Sequence, residues 1–447
     1  MTAPISDRPY PPGPPTDFIG GHLLSLRRDS LGFLSANMAH GDLAHIKFMQ
    51  YDGYQVNHPD LIGQVLRDSA LWHKSIIYKE PLKAYLGEGL LSADGNFWRR
   101  QRKLMQPAFH VNRISAYADT MVDYIQRLLD EWRDGEVRDI ASDMMRVTLH
   151  VVGKTLFNAD FRTESGRVAE ALDYMLEDII DASQTIIRLP EWIPTPKRYR
   201  RRHTITLLDQ VVKPLIQARR ASGEDTGDLL SMLLLAQDDD GEGMSDDQVR
   251  NEALTLVLAG HETTASTLTW TLYLLSEHPQ IAEKLYAEID SVLGQRPPGL
   301  DDLPHLPYTE QVIKEGMRMY PPVWSVGRQA SQPTELGGYA IAQYATAIVP
   351  IWSVHRDPRW YPQPLQFEPE RWGDERAGAV PRHAYLPFGG GPRICIGNAF
   401  AMMEARLLLA SIVQQFQVSH VDGHPVEPEP LVTLRAKHGM LMHLSRR

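Results

Sequence analysis

Apolar residues recur at three- and four-residue spacing along most of the chain between about residues 60 and 290. This is the periodicity of amphipathic helices, and it predicts a mostly helical segment. Clear examples are Asp119–Trp132, Val168–Ile187 and Thr204–Arg220.

The pattern changes after Arg296, where prolines become frequent and strand-like pieces alternate with turns. The predicted strands are Gly338–Ile341 and Ala345–Ile351. A last helix is predicted to begin near Asn398, and the proline-rich residues 1–15 are predicted to be an extended lead-in. Taken together, these patterns predict a mainly α fold with a minor β region, forming a single domain over residues 1–447.

The strongest helix signal begins at Ser245, which forms a capping-box pattern with Gln248 and precedes acidic residues in the first turn. The run continues without a proline to His278, and Pro279 stops it. Because this is far longer than an ordinary helix, we expect it to cross the middle of the molecule. Its centre, residues 258–264, reads Leu-Ala-Gly-His-Glu-Thr-Thr. Such residues are poor choices for a buried helix, which indicates a functional segment.

Composition limits the possible functions. Hydrophobic residues at 43% and charged residues at 23% are typical of a globular protein, and the net charge of −10 argues against nucleic-acid binding. No apolar run has the length of a transmembrane anchor, and no secretory-signal pattern is present, so we expect a cytoplasmic protein. With one cysteine, Cys395, a disulfide scaffold or multi-cysteine metal site within one chain is excluded.

The single cysteine lies in the segment Phe388-Gly-Gly-Gly-Pro-Arg-Ile-Cys395-Ile-Gly397. Its glycines allow the backbone to approach a flat ligand closely. A helix is predicted immediately afterwards, and its dipole and free N–H groups favour a thiolate and lower its pKa. A lone cysteine is usually a buried structural residue, but these neighbours favour a role as a ligand.

This segment resembles the haem loop of the cytochrome P450 family, whose pattern Phe-x-x-Gly-x-x-x-Cys-x-Gly is met by Phe388, Gly391, Cys395 and Gly397. Four further segments are similar to family motifs and follow the family's order: Trp98-x-x-x-Arg102, Ala259-Gly260-x-Glu262-Thr263-Thr264, Glu315-x-x-Arg318 and Pro369-Glu-Arg371-Trp. The resemblance implies a triangular, mainly helical prism. It places haem b between the long central helix and the cysteine loop.

The resemblance also implies which residues contact the haem. Cys395 would be the axial iron ligand, Phe388 would shield its sulfur, and backbone N–H groups near Gly397 would tune the iron. The haem propionates are expected to contact four side chains: Trp98, Arg102, Arg328 and Arg393.

The centre of the long helix resembles the family's acid–alcohol segment. Gly260 is expected to leave room for dioxygen, Thr263 to donate a hydrogen bond during oxygen activation, and Glu262 to help relay protons. A zinc protease does not fit, because residue 265 is Ala rather than a second histidine. We interpret His261 as a packing or solvent-side residue.

Three charged residues are predicted to support the haem loop without taking part in bond-making. Glu315 and Arg318 are three residues apart and share a helix face. Arg371 is expected to complete a buried ionic network with them, in which removing one member would leave an unpaired charge.

The resemblance implies that one atom of O2 is inserted into an unactivated C–H bond. By family position the pocket is apolar, which favours a lipophilic substrate such as a fatty acid, terpene or steroid; its predicted lining is Ile76, Ile77, Tyr78, Leu82, Leu258, Val323, Trp324, Val326 and Val432. The chain contains no dinucleotide-binding motif or iron–sulfur cysteine set. We therefore expect electrons from a separate ferredoxin or flavodoxin with an NAD(P)H-dependent reductase, and a monomer of the soluble bacterial type.

Two basic runs stand out in this acidic chain. Residues 98–103 are interpreted as a docking surface for an acidic electron-transfer partner or as a solvated helix face. Residues 197–202 are interpreted as a charged helix start, with contact to anionic lipid or to an acidic substrate group as the alternative.

Other functions remain open at this point. A haem-thiolate peroxygenase or isomerase would need no electron partner, and the Glu262–Thr263 pair argues against it. A haem sensor or electron carrier would normally carry an output domain, for which the length leaves no room. A cysteine hydrolase using Cys395 would leave the other motifs unexplained.

Overall fold

The computed structural model describes residues 10–16, 20–48, 51–160, 165–183, 185 and 193–447. It is predominantly helical, with 57% helix. The α-helices are α1 (Leu23–Arg28), α2 (Ser30–Asn37), α3 (Pro59–Arg67), α4 (Ile76–Leu86), α5 (Gly95–Met105), α6 (Val111–Ser115), α7 (Ala118–Glu131), α8 (Ile140–Phe157), α9 (Ser165–Ser183), α10 (Pro196–Ser222), α11 (Leu229–Leu235), α12 (Asp246–Glu277), α13 (Pro279–Leu293), α14 (Pro307–Met319), α15 (Ile351–Val354), α16 (Asp374–Ala377) and α17 (Asn398–Gln415).

Short strands and 3₁₀ turns connect these helices. The strands are β1 (Leu43–Phe48), β2 (Tyr51–Val56), β3 (Trp72–Lys74), β4 (Val137–Asp139), β5 (Val326–Ala330), β6 (Thr334–Leu336), β7 (Tyr339–Ile341), β8 (Thr346–Val349), β9 (Phe416–His420), β10 (Pro428–Pro430), β11 (Leu434–Ala436) and β12 (Leu441–Arg446). The 3₁₀ turns are Met38–His40, Gln106–Phe109, Leu300–His305, Pro369–Trp372 and Gly391–Arg393.

The helices predicted from periodicity are present. α7 matches its predicted range to within one residue, whereas α10 begins earlier, at Pro196, where a proline suits the first helical position. α9 ends at Ser183, and Thr185 is not helical; residues 184, 186 and 187 of the predicted helix lie outside the described residues. Residues 10–15 of the lead-in have no regular secondary structure, and its residues 1–9 lie outside the described residues.

The long helix α12 confirms the capping box and the central position. The Ser245 hydroxyl accepts the Gln248 N–H at 3.3 Å, and the Gln248 side chain accepts the Ser245 N–H at 2.9 Å. α12 packs against α8, α10, α14 and α17, so most of its residues are buried. Its central hydroxyls are satisfied within the helix, because each donates to the carbonyl four residues earlier; these are Thr263, Thr267 and Thr271.

The main sheet has the strand order β1-β2-β8-β5-β3, in which only β2 and β8 pair in parallel. β7 confirms the first predicted strand. The second predicted strand, Ala345–Ile351, was too long. β8 ends at Val349 because Pro350 has no N–H to donate and α15 begins at Ile351. The sheet β4-β12-β9 was not predicted, since its strands pair residues that are far apart in the sequence.

Two contacts fix the cysteine loop in the fold. The turn Gly391–Arg393 contacts α3, while α17, which follows the cysteine, packs against α7, α12, α13 and α14. The loop therefore lies at the junction between α3 and the helical core.

Candidate active site

The cysteine loop is closed by its own backbone and by α3. The Cys395 N–H donates to the Phe388 carbonyl at 2.9 Å. Gly391 has a φ of +68°, and a Cβ there would lie 2.1 Å from the Leu66 carbonyl oxygen. Only glycine fits this close approach, so the Gly-rich sequence determines where the loop lies.

The Cys395 side chain is accessible, yet surrounding protein desolvates its sulfur. Burial raises the thiol pKa, while the Gly397 N–H and the nearby Arg102 lower it less. The expected net lowering of the pKa was therefore wrong for the protein alone, because desolvation outweighs the helix terminus. A metal cation at the sulfur reverses this balance, since a coordinating thiol is deprotonated.

A group of buried cations lies beside this loop. Arg393 forms an ion pair with Asp94, and its guanidinium lies 5.2 Å from the centre of the Trp98 ring. Arg328 and Lys74 are direct partners across β5 and β3. Burial, followed by the charge of Arg393, lowers the pKa of Lys74 to about 7 and that of Arg328 to about 10.

Within the described residues this cation group has more positive than negative charge. Three cationic side chains, Lys74, Arg328 and Arg393, face the carboxylate of Asp94, and Lys74 also lies near the carboxylate of Glu252. The Nε and Nη1 atoms of Arg393 are buried and have no hydrogen-bond partner there. Unpaired buried donors are costly, so this arrangement fits the two carboxylates of a haem. Three of the predicted contacts, Trp98, Arg328 and Arg393, thus lie together.

Arg102, the fourth predicted propionate contact, belongs to α5 and contacts the cysteine loop. Its Nη1 donates to the carbonyl of Ile394, the residue before Cys395, at 2.6 Å. Burial lowers its pKa. Lys74 and Asp94 were not predicted from the sequence. The Lys74 ammonium is held in position because it donates to the Leu90 and Ala93 carbonyls at 2.6 and 2.8 Å.

The predicted acid and alcohol occupy adjacent positions of α12 with different surroundings. The Thr263 hydroxyl donates to the Ala259 carbonyl at 2.7 Å. Glu262 is only 1% exposed, and its Oε1 accepts from the Thr433 hydroxyl and from Arg435 Nε, each at 2.5 Å. A buried carboxylate of this kind is held by charge and hydrogen bonds together.

Gly260 and His261 are adjacent in the same turn of α12, and both are packed within the fold. A Cβ on Gly260 would lie 3.0 Å from Val152 of α8, so the glycine serves close helix packing. That its missing side chain also leaves room for dioxygen stays a prediction. His261 is buried at 2% exposure, with Nδ1 hydrogen-bonded to the Val257 carbonyl, which confirms the packing alternative and excludes the solvent-side one.

The predicted ionic network is formed and fully buried. Arg318 donates twice to the Glu315 carboxylate at 2.9 Å, and Arg371 reaches the same carboxylate at 3.5 Å. A fourth member of the network was not predicted: the Trp372 indole N–H donates to Glu315 at 2.9 Å. The turn Pro369–Trp372 packs against α14, which places the indole there.

The predicted pocket residues differ in burial. Ile76 is 50% exposed, whereas Leu258 is buried within the main core. Trp324 is also buried, and its indole N–H donates to the Leu431 carbonyl at 2.7 Å, so it packs in a separate apolar cluster. The remaining predicted lining residues are partly buried: Ile77, Tyr78, Leu82, Val323, Val326 and Val432.

Both basic runs are partly neutralised within the chain. On α5, Arg100 pairs with Asp238 at 2.6 Å and Lys103 pairs with Asp239 at 2.5 Å. The second run begins α10, as expected for a charged helix start, and its Arg201 donates to the buried carboxylate of Asp178 at 2.7 Å. Lys197 and Arg200 of that run also make contacts with α9.

Comparison with known proteins gives a consistent result. The cytochrome P450 family model matches residues 11–442. Cyclooctatin synthase of Streptomyces melanosporofaciens is 37% identical over 425 residues, covering 94% of this chain and 92% of that protein. Pentalenene oxygenase of Streptomyces avermitilis is 35% identical over 428 residues, covering 96% and 95%.

A third relative, cyclooctat-9-en-7-ol 5-monooxygenase of S. melanosporofaciens, is 36% identical over 407 residues, covering 90% and 88%. Among solved structures, the cytochrome P450DA haem domain superposes with a TM-score of 0.88 at 28% identity, covering 98% of this chain and 97% of that one.

The chain belongs to the cytochrome P450 family. It is a haem-dependent monooxygenase that consumes O2, accepts a lipophilic substrate and receives electrons from redox partners. Among the described residues, no helix combines the length and apolar character needed to cross a bilayer.

Proposed function

We propose that this monooxygenase oxidises a C–H bond of a terpene-type substrate, using haem b held by Cys395. Terpene-oxidising relatives, including pentalenene oxygenase, support this substrate class, and so does the apolar character of the predicted lining. The proposal includes electrons from a separate ferredoxin or flavodoxin with its NAD(P)H-dependent reductase. It also includes a cytoplasmic monomer with one domain over residues 1–447.

The turn that begins at Gly391 supports haem binding most directly. It carries a thiol at Cys395 and a buried, incompletely paired guanidinium at Arg393, two residues earlier. Thiolate sulfur is a haem-iron ligand, and a guanidinium matches carboxylate geometry. One short segment thus offers groups suited to both the iron and the propionates.

When bound, the haem supplies the dioxygen and one-electron chemistry that amino-acid side chains lack. The chain positions the haem and the substrate and supplies protons. Cys395 holds the iron, Arg328 and Arg393 hold the propionates, and apolar residues such as Leu258 exclude water. The Thr263 hydroxyl, which now donates to a helix carbonyl, can turn to donate into the pocket, and Glu262 can supply a proton to that region.

The test begins with an absorbance titration of the purified protein with diterpene and sesquiterpene hydrocarbons and alcohols, fatty acids and steroids. We expect a low- to high-spin shift with a terpene, followed by an oxygenated product with NADPH, a surrogate ferredoxin and its reductase. A shift only with fatty acids or steroids would overturn the terpene assignment. Turnover by peroxide alone, without product from the electron-transfer system, would instead favour a peroxygenase.

Cys395→Ser tests the ligand independently of the substrate. The thiol is replaced by a hydroxyl of similar size, so we expect the thiolate-haem spectrum to disappear while the far-ultraviolet circular dichroism stays that of a folded protein. Survival of the thiolate spectrum in this variant would refute the assignment of Cys395 as the iron ligand.

A further inference from the structure

One face of α12 is attached to the β-hairpin that β10 and β11 form near the C-terminus. Glu262, Ser266 and Trp270 follow at four-residue spacing, so they lie on the same side of the helix. The Ser266 hydroxyl donates to the Leu434 carbonyl at 2.6 Å, and the Trp270 indole donates to the same oxygen at 3.0 Å. Glu262 meets this hairpin one turn before Ser266.

Glu262 binds the hairpin through two short hydrogen bonds to one carboxylate oxygen. Thr433 and Arg435 both donate to Oε1 at 2.5 Å. Arg435 also donates through Nη1 to Asp173 of α9 at 2.8 Å, and the Asp173 side chain is 48% exposed. Arg435 is therefore shared between a buried carboxylate and one at the surface.

Arg435 is not needed to attach the hairpin. The Leu434 carbonyl already accepts from Ser266 and Trp270, and the Leu434 N–H donates to the Pro322 carbonyl at 2.8 Å. These bonds fix the backbone on either side of the Arg435 side chain. The contact between Arg435 and Glu262 is thus a separate feature of this site.

We propose that Arg435 is a positioning residue for oxygenation, which keeps the Glu262 carboxylate ionised and oriented between turnovers. This inference rests on the proposed role of Glu262 and Thr263 in proton supply. Burial disfavours the charge of a carboxylate at 1% exposure, so the guanidinium of Arg435 beside it is what stabilises that charge. By holding the ionised form, Arg435 leaves Glu262 ready to accept a proton from solvent and pass it toward Thr263.

The arrangement also gives Asp173 a function. When Arg435 moves toward Asp173, its hold on Glu262 weakens and the buried carboxylate accepts a proton from a hydronium ion of the solvent, which leaves a neutral water molecule. When Arg435 returns, the ionised form is favoured again, and the proton leaves for an acceptor in the pocket. Each cycle moves one proton and changes no oxidation state at these residues.

The activity test compares Arg435→Gln, Arg435→Lys and Ser266→Ala in the haem-loaded enzyme with a surrogate ferredoxin and reductase. For Arg435→Gln we expect product formed per NADPH to fall about tenfold, with more hydrogen peroxide and a larger solvent isotope effect, since proton supply becomes limiting. Lysine should restore most of the coupling. Ser266→Ala, which loosens the hairpin without touching Glu262, should resemble the wild type.

A second readout does not depend on turnover. In Arg435→Gln, infrared spectroscopy should show a carboxylic-acid C=O band near neutral pH that is absent from the wild type and from the Arg435→Gln, Glu262→Gln double variant. If Arg435→Gln does not accumulate as folded protein, Thr433→Val removes the other donor to Glu262 and should lower coupling about threefold, the loss of one charge-assisted bond of modest net strength.

Wild-type coupling in Arg435→Gln, equal uncoupling in Ser266→Ala, or no Glu262-dependent infrared band would each overturn the inference. Failure of the proposed function itself gives a different result. In that case the wild type forms no oxygenated product, while the infrared band still decides whether Arg435 keeps Glu262 ionised.

Discussion

The indole of Trp372 allows a direct measurement of what one donor contributes to the buried Glu315 network. Trp372→Phe keeps an aromatic ring against Tyr385, with which Trp372 now packs at 4.1 Å between ring centres. It removes the N–H that donates to Glu315 at 2.9 Å, together with part of the ring area. Because Glu315 is fully buried, water cannot replace that donor without rearrangement.

The expected cost follows from the charge of the acceptor. A hydrogen bond to a charged group contributes about 1.5–3 kcal/mol, so we expect the free energy of unfolding to fall by about 2 kcal/mol. An unfolding entropy of about 2.1 cal/mol/K per residue gives roughly 0.9 kcal/mol/K for a chain of 447 residues. The thermal midpoint should therefore fall by about 2 °C.

Trp360→Phe is the matched control for this measurement. The Trp360 indole N–H is buried but has no hydrogen-bond partner among the described residues. Removing it loses ring area without losing a hydrogen bond, so the midpoint should stay within about 1 °C of the wild type. Both thermal midpoints are measured by differential scanning calorimetry. Equal midpoint shifts in the two variants would refute the reasoning that the bond to Glu315 matters.

Three further outcomes can be checked. Gly391→Ala should prevent stable closure of the cysteine loop, because its Cβ would lie 2.1 Å from the Leu66 carbonyl oxygen. Gly389→Ala is the control, since Gly389 also has a positive φ but faces open space; its free energy of unfolding in chemical denaturation should fall by only about 1–2 kcal/mol. Burial raises the pKa of Glu404 from 4.5 to about 8, so the folded state keeps a proton that the unfolded chain releases and stability falls as pH rises between these values. Glu404→Gln should therefore be more stable than the wild type at pH 8, with the difference vanishing near pH 4.5; a difference that does not vary with pH in urea titrations would contradict this. Arg393→Gln should weaken haem retention about tenfold, measured by transfer of haem to apomyoglobin, because one charge-assisted contact is lost.

Local patterns predicted the elements whose determinants are close in sequence. Three features were predictable because the residues that determine each of them are a few positions apart: the cap of α12, the cysteine loop, and the pair Glu315 and Arg318. The ionic network was therefore formed as expected, with Arg371 added from a distant turn.

Contacts between distant segments were not predictable in the same way. Lys74 joins Arg328 only because β3 and β5 pair, and Arg435 reaches Glu262 only because a late hairpin docks on α12. Gly260 shows a second limit: a small residue in a helix indicates close approach, but the sequence does not say whether a ligand or another helix approaches. Which face the glycine occupies depends on the packing of α8.

The surplus of positive charge around Arg393 links cofactor supply to the lifetime of the protein. A ligand that binds only the folded chain stabilises it by mass action, in proportion to the logarithm of its free concentration. Like charges held together in the interior raise the affinity for an anionic ligand, because the ligand removes their mutual repulsion on binding, and a higher affinity gives a larger stabilisation at a given concentration. Cells short of haem would thus hold less of this enzyme through faster degradation of the unfolded chain, without any change in its synthesis.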